Sequence, residues 1–131
     1  MVPSSDAVVR PRIVVTNHDP VFLELLQNLL RDEGYDAHIP PKLDDPYPFI
    51  KQAQPAAVVL DMPFRQETDT LTTLEKLRLD PATATLPVVV CTTTPRELQG
   101  LGGREAEGLY VLVKPFDLEQ LLTILATVLH A

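Results

Sequence analysis

Short apolar runs alternate along this chain with segments whose apolar residues recur at helical spacing. The runs have the length and composition of buried strands and cover residues 12–15, 35–39, 56–60, 87–92 and 109–113. Most of them lack a regular alternation of apolar and polar positions, which is typical of strands whose two faces are both covered. Strands separated by helices pair in parallel, so the pattern predicts an α/β protein with a doubly wound parallel sheet.

The segments between the runs predict the helices. The clearest helix starts at Asp19-Pro20 and ends before Gly34, with Phe22, Leu25, Leu26, Leu29 and Leu30 predicted on its buried face. Further helices are predicted over residues 47–53, 68–79 and 118–129, the last capped by Asp117. Residues 96–107 predict the weakest helix, because each of the glycines there disfavours a helix by roughly 1 kcal/mol.

Composition limits the function. The 131 residues suit one domain, predicted over 12–131 after a flexible lead-in of residues 1–11. The net charge is −7 and the 11 basic residues are scattered, which argues against direct binding of nucleic acid or an anionic membrane. No segment is typical of a membrane span or an export signal, so a cytoplasmic location is expected. Cys91 lies within an apolar run and is predicted to be a buried thiol.

Three of the predicted strands end on residues suited to a phosphoryl group, namely Asp61, Thr92 and Lys114. The carboxyl ends of neighbouring parallel strands meet at one edge of a sheet, which is where ligands bind in open α/β folds. Phosphoryl transfer needs a nucleophile and positive charge around the phosphoryl oxygens. A carboxylate, a hydroxyl and an ammonium group at one edge therefore predict a phosphoryl site.

Several motifs in order resemble the receiver domain of two-component response regulators over about residues 12–129. They are Val59-Leu60-Asp61, Asp80-Pro81, Leu86-Pro87 with the strand to Thr92, and Lys114-Pro115-Phe116-Asp117. The resemblance implies a flavodoxin-like (βα)5 sheet with strand order 2-1-3-4-5. It also implies that Asp61 accepts a phosphoryl group, that Thr92 and Lys114 contact it, and that the Lys114-Pro115 bond is cis.

The resemblance further implies a Mg²⁺ ion, but the residues after the first strand depart from the family pattern. The family's acidic pair falls on Asn17 and His18, and Mg²⁺ prefers oxygen ligands. The remaining candidate ligands are Asp61, Asp19 and the Pro63 carbonyl. Weak or absent Mg²⁺ binding is therefore predicted. We expect His18 to be a loop residue bonded to Asp61 or Asp19, with metal ligation as the alternative.

Two further departures concern the switch elements. Met62-Pro63 follows Asp61 directly, whereas relatives have two intervening residues and a later glycine. The position three before Lys114, aromatic in relatives, is Val111, and Tyr110 is expected to point to the other face of the sheet. Signalling through an aromatic rotamer is therefore not expected.

The predicted function is an atypical response regulator receiver rather than an enzyme, phosphorylated by a sensor histidine kinase or a phosphotransfer protein. Because the sequence ends at Ala131, output is expected through a partner protein, on the face of the fourth helix, fifth strand and fifth helix. A homodimer is compatible with this reading. The alternative is a phosphorylation-independent pseudo-receiver that acts as a constitutive interaction module. A flavodoxin-like cofactor site is disfavoured because residues 16–19 lack the glycines of a phosphate-binding loop.

Overall fold

The computed structural model describes residues 10–41, 45–98 and 108–130. Its five strands form one parallel sheet in the order β2-β1-β3-β4-β5. They are β1 Arg12–Val15, β2 Asp36–His38, β3 Ala57–Met62, β4 Val88–Thr92 and β5 Leu109–Val113. The predicted doubly wound, flavodoxin-like topology is confirmed. Most of the predicted lead-in and residues 99–107 of the weakest predicted helix lie outside the described residues.

Four α-helices connect and flank the strands within the described part of the chain. They are α1 Pro20–Asp32, α2 Tyr47–Ala53, α3 Glu67–Leu79 and α4 Leu118–His130, and a 3-10 turn covers Pro95–Leu98. Asp19 caps α1 because its side chain accepts hydrogen bonds from the backbone N–H groups of Val21 and Phe22. Gly34 follows the helix at φ +93°, a conformation that glycine adopts without steric cost. No helix among these residues is long and apolar enough to cross a bilayer.

Each face of the sheet carries two helices and its own core. One core joins β1, β3, β4 and β5 to α1 and α4, and its fully buried members include Ile13, Leu30, Leu121 and Leu125. The other core joins the opposite strand faces to α2 and α3 through residues such as Val58, Ile50 and Leu77. Because both faces are covered, the strands need apolar residues at nearly every position, which explains their sequence pattern.

Two sequence predictions about these elements were wrong in detail. Leu25 was expected on the buried face of α1 but is 53% exposed. The buried stripe is centred on Leu26 and Leu30, and at about 100° per residue Leu25 lies roughly 120° away from that centre. The third strand was expected to end at Leu60 but continues to Met62, because β4 pairs with it as far as Met62 opposite Thr92.

Candidate functional site

Asp61 lies in the last part of β3 and is buried, with 7% of the residue exposed. Side chains alternate along a strand, so Asp61 faces the layer of α1 and α4, on the same side as Val59. Its backbone is held on both sides of the residue. The Asp61 N–H donates to Thr16 Oγ1 at 3.0 Å, and its carbonyl accepts from the Thr70 hydroxyl at 3.1 Å. The backbone of Asp61 is therefore held by two neighbouring segments, the loop after β1 and helix α3.

The Asp61 carboxylate lies between two basic side chains. Lys114 Nζ is 2.5 Å from Oδ1, as an ion pair outside the angular range of a regular hydrogen bond. His18 Nδ1 is 3.0 Å from the other oxygen, Oδ2. The side chain of Asp61 is only 4% exposed, against 28% for Lys114 and 59% for His18. The structure thus brings together Asp61, Lys114 and His18, and of the two partners expected for His18 it shows Asp61.

Thr92 ends β4 and is fully buried, but its hydroxyl does not reach Asp61. Thr92 Oγ1 accepts the Thr94 N–H at 2.8 Å and lies 3.2 Å from Thr94 Oγ1. The Thr94 hydroxyl in turn donates to Glu67 Oε2 at 3.3 Å. Among the described residues no hydrogen bond joins Thr92 to Asp61. Thr92, Thr94 and Glu67 form what we call the hydroxyl chain, which links the end of β4 to the start of α3.

Glu67 is the first residue of α3 and anchors the hydroxyl chain. Hydrogen bonds from its own N–H, and then from the N–H of Arg65, lower the pKa of the Glu67 carboxyl below its usual value. Arg65 has φ +71°, which is uncommon for a residue other than glycine. Its guanidinium lies 5.4 Å from the centre of the exposed Phe64 ring. An ionised Glu67 therefore holds both the loop after Asp61 and the hydroxyl of Thr94.

The remaining predicted metal ligands use their oxygens within their own loop. Asn17 Oδ1 accepts the Asp19 N–H at 2.8 Å, and Asp19 Oδ1 accepts the Val21 N–H at 3.0 Å as the cap of α1. Pro63 lies near Asp61 in the remodelled loop that follows β3. Within the described ranges, no group of three His, Cys, Asp or Glu residues could hold a metal ion. Mg²⁺ favours near-octahedral oxygen ligands, and here the side-chain oxygens of Asn17 and Asp19 accept backbone N–H groups instead.

A cleft of about 550 Å³ opens beside this site at the carboxyl ends of β1 and β3. His18 and Asp61 lie on its wall, and residues of the β2–α2 connection, including Ile39, Pro40 and Pro46, form the opposite side. The space between β1 and β3 is where the strand order reverses in a 2-1-3-4-5 sheet, the usual ligand position of such folds. Asp61 and His18 therefore both border a cleft at the usual ligand position of the fold.

Cys91 lies opposite Asp61 in the register of β3 and β4, and it is buried as predicted. Burial, followed by the negative charge of Asp61, raises the pKa of the Cys91 thiol to about 12. A thiol with such a pKa is protonated and a poor nucleophile at neutral pH. Cys91 therefore contributes packing beside the carboxylate.

The residues around Lys114, in β5 and just after it, have the conformation and orientation that the sequence predicted. The Lys114-Pro115 peptide is cis. Tyr110 packs into the layer of α1 and α4, and Val111 points to the other side of β5. Four residues of the site were not identified from the sequence, namely Thr16, Thr70, Thr94 and Glu67. The threonine run that begins at Thr92 was a usable signal for Thr94, whereas the other three depend on contacts between distant segments.

The comparisons with known proteins agree on one family. The profile of the response regulator receiver domain matches residues 13–126. The DNA-binding dual master transcriptional regulator RpaA of Synechocystis is 30% identical over 112 residues, which are 86% of this chain and 46% of that protein. The chain spans about half the length of the curated relatives that it matches.

Solved structures show the same architecture. A two-component response regulator from Clostridium difficile matches with a TM-score of 0.72 and 20% identity, covering 92% of this chain and 97% of that one. The receiver domain of the sensor histidine kinase PA1611 from Pseudomonas aeruginosa, with a magnesium ion coordinated in its active site cleft, matches with a TM-score of 0.67 and 21% identity, covering 94% and 100%. At these identities the two structures establish the shared fold.

Proposed function

Because the chain belongs to the response regulator receiver domain family of two-component systems, we propose that it is an atypical receiver that accepts a phosphoryl group on Asp61 with little or no dependence on Mg²⁺. The observation that supports this most directly is the pairing of a buried carboxylate at the end of β3 with the Lys114 ammonium, 2.5 Å from Oδ1. A nucleophile and a point charge at one sheet edge are two of the components that phosphoryl transfer requires.

The chemistry follows from the charges at the site. A carboxylate oxygen of Asp61 attacks phosphorus while the leaving group departs, and the Lys114 ammonium offsets negative charge on the phosphoryl oxygens. Receiver domains typically bind Mg²⁺ for the same purpose. Here His18 contacts Oδ2, and Asn17 and Asp19 are committed to their own loop. These contacts support a site in which the Lys114 ammonium supplies the positive charge.

The partners follow from the family and remain part of the proposal. Receiver domains interact with histidine kinases or phosphotransfer proteins and with output domains. We propose such a kinase or phosphotransfer protein as the phosphoryl donor, in the cytoplasm. Output through a partner protein, or through a homodimer, would use the face that includes β5 and α4. The predicted fourth helix of that face falls largely outside the described residues.

A second candidate is a constitutive interaction module that is never phosphorylated. Two observations favour it. The Asp61 carboxylate already has a basic partner at each oxygen, and the Thr92 hydroxyl is engaged with Thr94 rather than directed toward Asp61. In an interaction module the ion pair of Asp61 and Lys114 stabilises the pocket, and no phosphoryl group is transferred to Asp61.

Intact-mass measurement after incubation with acetyl phosphate separates the two candidates. The proposal predicts the gain of one phosphoryl group that hydroxylamine removes, as expected of an acyl phosphate, and that Asp61→Asn abolishes. Asp69→Asn is the matched control, because Asp69 is an exposed acid on the same cleft and its loss should leave uptake unchanged. No hydroxylamine-sensitive gain with Mg²⁺, with Mn²⁺ or without metal would favour the interaction module.

A further inference from the structure

His18 contacts Asp61 through only one of its two ring nitrogens. One edge of the imidazole is fixed, because Nδ1 lies 3.0 Å from the buried Oδ2 of Asp61. The rest of the ring is open, since 59% of the side chain is exposed and His18 lies on the wall of the cleft. Within the described part of the chain, His18 Nε2 has no hydrogen bond or ion pair. The ring therefore presents one unengaged nitrogen in the same cleft as the phosphoryl site.

The contact with Asp61 determines the tautomer of a neutral His18. An ionised carboxylate only accepts hydrogen bonds, so the proton lies on Nδ1 and Nε2 carries the lone pair. A carboxylate bonded to one imidazole nitrogen fixes the orientation of the ring. Histidine in such a pair is an established type of protein nucleophile. Asp61 thus positions His18 and leaves its Nε2 unengaged.

We propose that Nε2 of His18 is a second phosphoryl-acceptor site, which takes the group from a small phosphoramidate or acyl phosphate that enters the cleft. The Nε2 lone pair forms the N–P bond as the bond from phosphorus to its leaving group breaks, and the leaving group departs with the bonding electron pair. The ring keeps its proton on Nδ1. The negative charge of Asp61 offsets the positive charge that the phosphorylated ring acquires.

This site goes beyond the proposed phosphorylation of Asp61 and has a different charge requirement. An anionic carboxylate that attacks an anionic phosphoryl group needs compensating positive charge, which receiver domains normally obtain from a metal ion. A neutral imidazole meets no such repulsion. No group of three His, Cys, Asp or Glu residues that could hold a metal ion occurs in the described part of the chain, and the side chain of Asp61 is 4% exposed while that of His18 is 59% exposed. Access and charge therefore both favour His18 when metal is absent.

The test is incubation with phosphoramidate in EDTA, followed by intact-mass measurement and fragmentation. A phosphoryl group on nitrogen survives base and hydroxylamine but is lost in acid, whereas an acyl phosphate on Asp61 is lost to hydroxylamine. We expect a base-stable group assigned to His18 in the unaltered chain. His18→Gln should abolish it, and Asp61→Asn should slow it about tenfold, because an amide oxygen still accepts from Nδ1 but carries no charge.

His38 provides a matched control, since its Nε2 lies 2.9 Å from Asp36 Oδ2 in a second pair of histidine and aspartate away from the cleft. His38→Gln should leave the base-stable gain unchanged. The proposal is overturned if the unaltered chain gains no base-stable group, or if fragmentation places that group on another residue. A base-stable group on His18 without any acyl phosphate would support this site while removing the proposed function of Asp61. An acyl phosphate alone would support the proposed function of Asp61 and overturn the proposal for His18.

Discussion

At the scale of single residues, the site depends on which basic side chain faces each oxygen of Asp61. Lys114 faces Oδ1 and His18 faces Oδ2, and the carboxylate is almost entirely removed from solvent. Removing either partner from a buried carboxylate costs free energy, because the remaining charge is left without compensation. Each oxygen of the buried carboxylate is consequently in contact with one basic side chain.

Replacing Asn17 and His18 by aspartate should restore a metal site. Each carboxylate about 4 Å from a divalent ion contributes on the order of 8 kcal/mol of gross attraction at an effective dielectric near 20, most of which desolvation offsets. We expect the double variant to bind Mg²⁺ at least about tenfold more tightly than the unaltered chain, as measured by calorimetry. Asp69→Asn in the same background serves as the control and should not alter the affinity. Equal affinities of the double variant and the unaltered chain would contradict the role assigned to His18.

The sequence predicted Asp61 and Lys114 as neighbours because both follow buried strands, and parallel strands align their carboxyl ends. For His18 the sequence left two expected partners, Asp61 and Asp19, and the structure shows Asp61. The orientation of the Thr92 hydroxyl could not be predicted, because a threonine rotamer responds to local hydrogen bonds and Thr94 supplies two of them. Strand patterns identify which residues meet at an edge, but the direction of each side chain depends on contacts within the loops.

At the scale of secondary structure elements, the hydroxyl chain connects β4 to α3. Thr94→Val keeps the shape of the side chain but removes the hydroxyl that contacts Thr92 and Glu67. At about 1 kcal/mol for each hydrogen bond, we expect the free energy of unfolding to fall by about 1–2 kcal/mol in urea titrations. Thr93→Val is the matched control, because Thr93 is exposed, and should change stability by less than about 0.5 kcal/mol. Similar values for the two variants would show that the chain contributes no stability.

Asp80 connects α2 to the end of α3 and gives the fold a dependence on pH. The Tyr47 hydroxyl donates to Asp80 at 2.5 Å and Lys51 Nζ lies 2.9 Å away. These contacts, the Tyr47 bond first, lower the pKa of Asp80 from 3.8 to about 2. The folded pKa lies below the unfolded one, so the stabilisation is complete above about pH 4 and is lost as the pH falls toward 2.

Asp80→Asn tests this contribution. The variant should be less stable than the unaltered chain at pH 6, and the difference in urea midpoint should shrink as the pH is lowered from 4 to 2. Asp69→Asn, which removes an exposed carboxylate of α3, is the control. At pH 6 its loss of stability relative to the unaltered chain should be smaller than that of Asp80→Asn. A difference for Asp80→Asn that is constant over this pH range would contradict the assigned pKa.

The existence and order of the elements were predictable, whereas their ends were less so. Asp19 and Gly34 identified both ends of α1, because a side-chain cap and a glycine at positive φ are local signals. The end of β3 is not marked by a local signal in the sequence. It depends on the register with β4, which brings Met62 opposite Thr92, and no pattern within residues 56–62 contains that information.

At the scale of the whole molecule, a receiver fold places Asp61 and Lys114 together beside loops that depart from the family pattern. Two helices cover each face of the parallel sheet, and the departures nearest Asp61 lie in the loop after β1 and the loop after β3. Such loops tolerate substitution without loss of the core. The fold can therefore keep Asp61 and Lys114 in place while His18 takes over one side of the carboxylate.

The most direct test of this account compares the rate of acyl phosphate formation at Asp61 in EDTA and in excess Mg²⁺, with acetyl phosphate as the donor and intact mass as the readout. Because Lys114 and His18 already face the carboxylate, we expect the two rates to agree within about threefold, less than the effect of one well-placed charge. A rate that is negligible in EDTA and rises a hundredfold or more with Mg²⁺ would contradict the account.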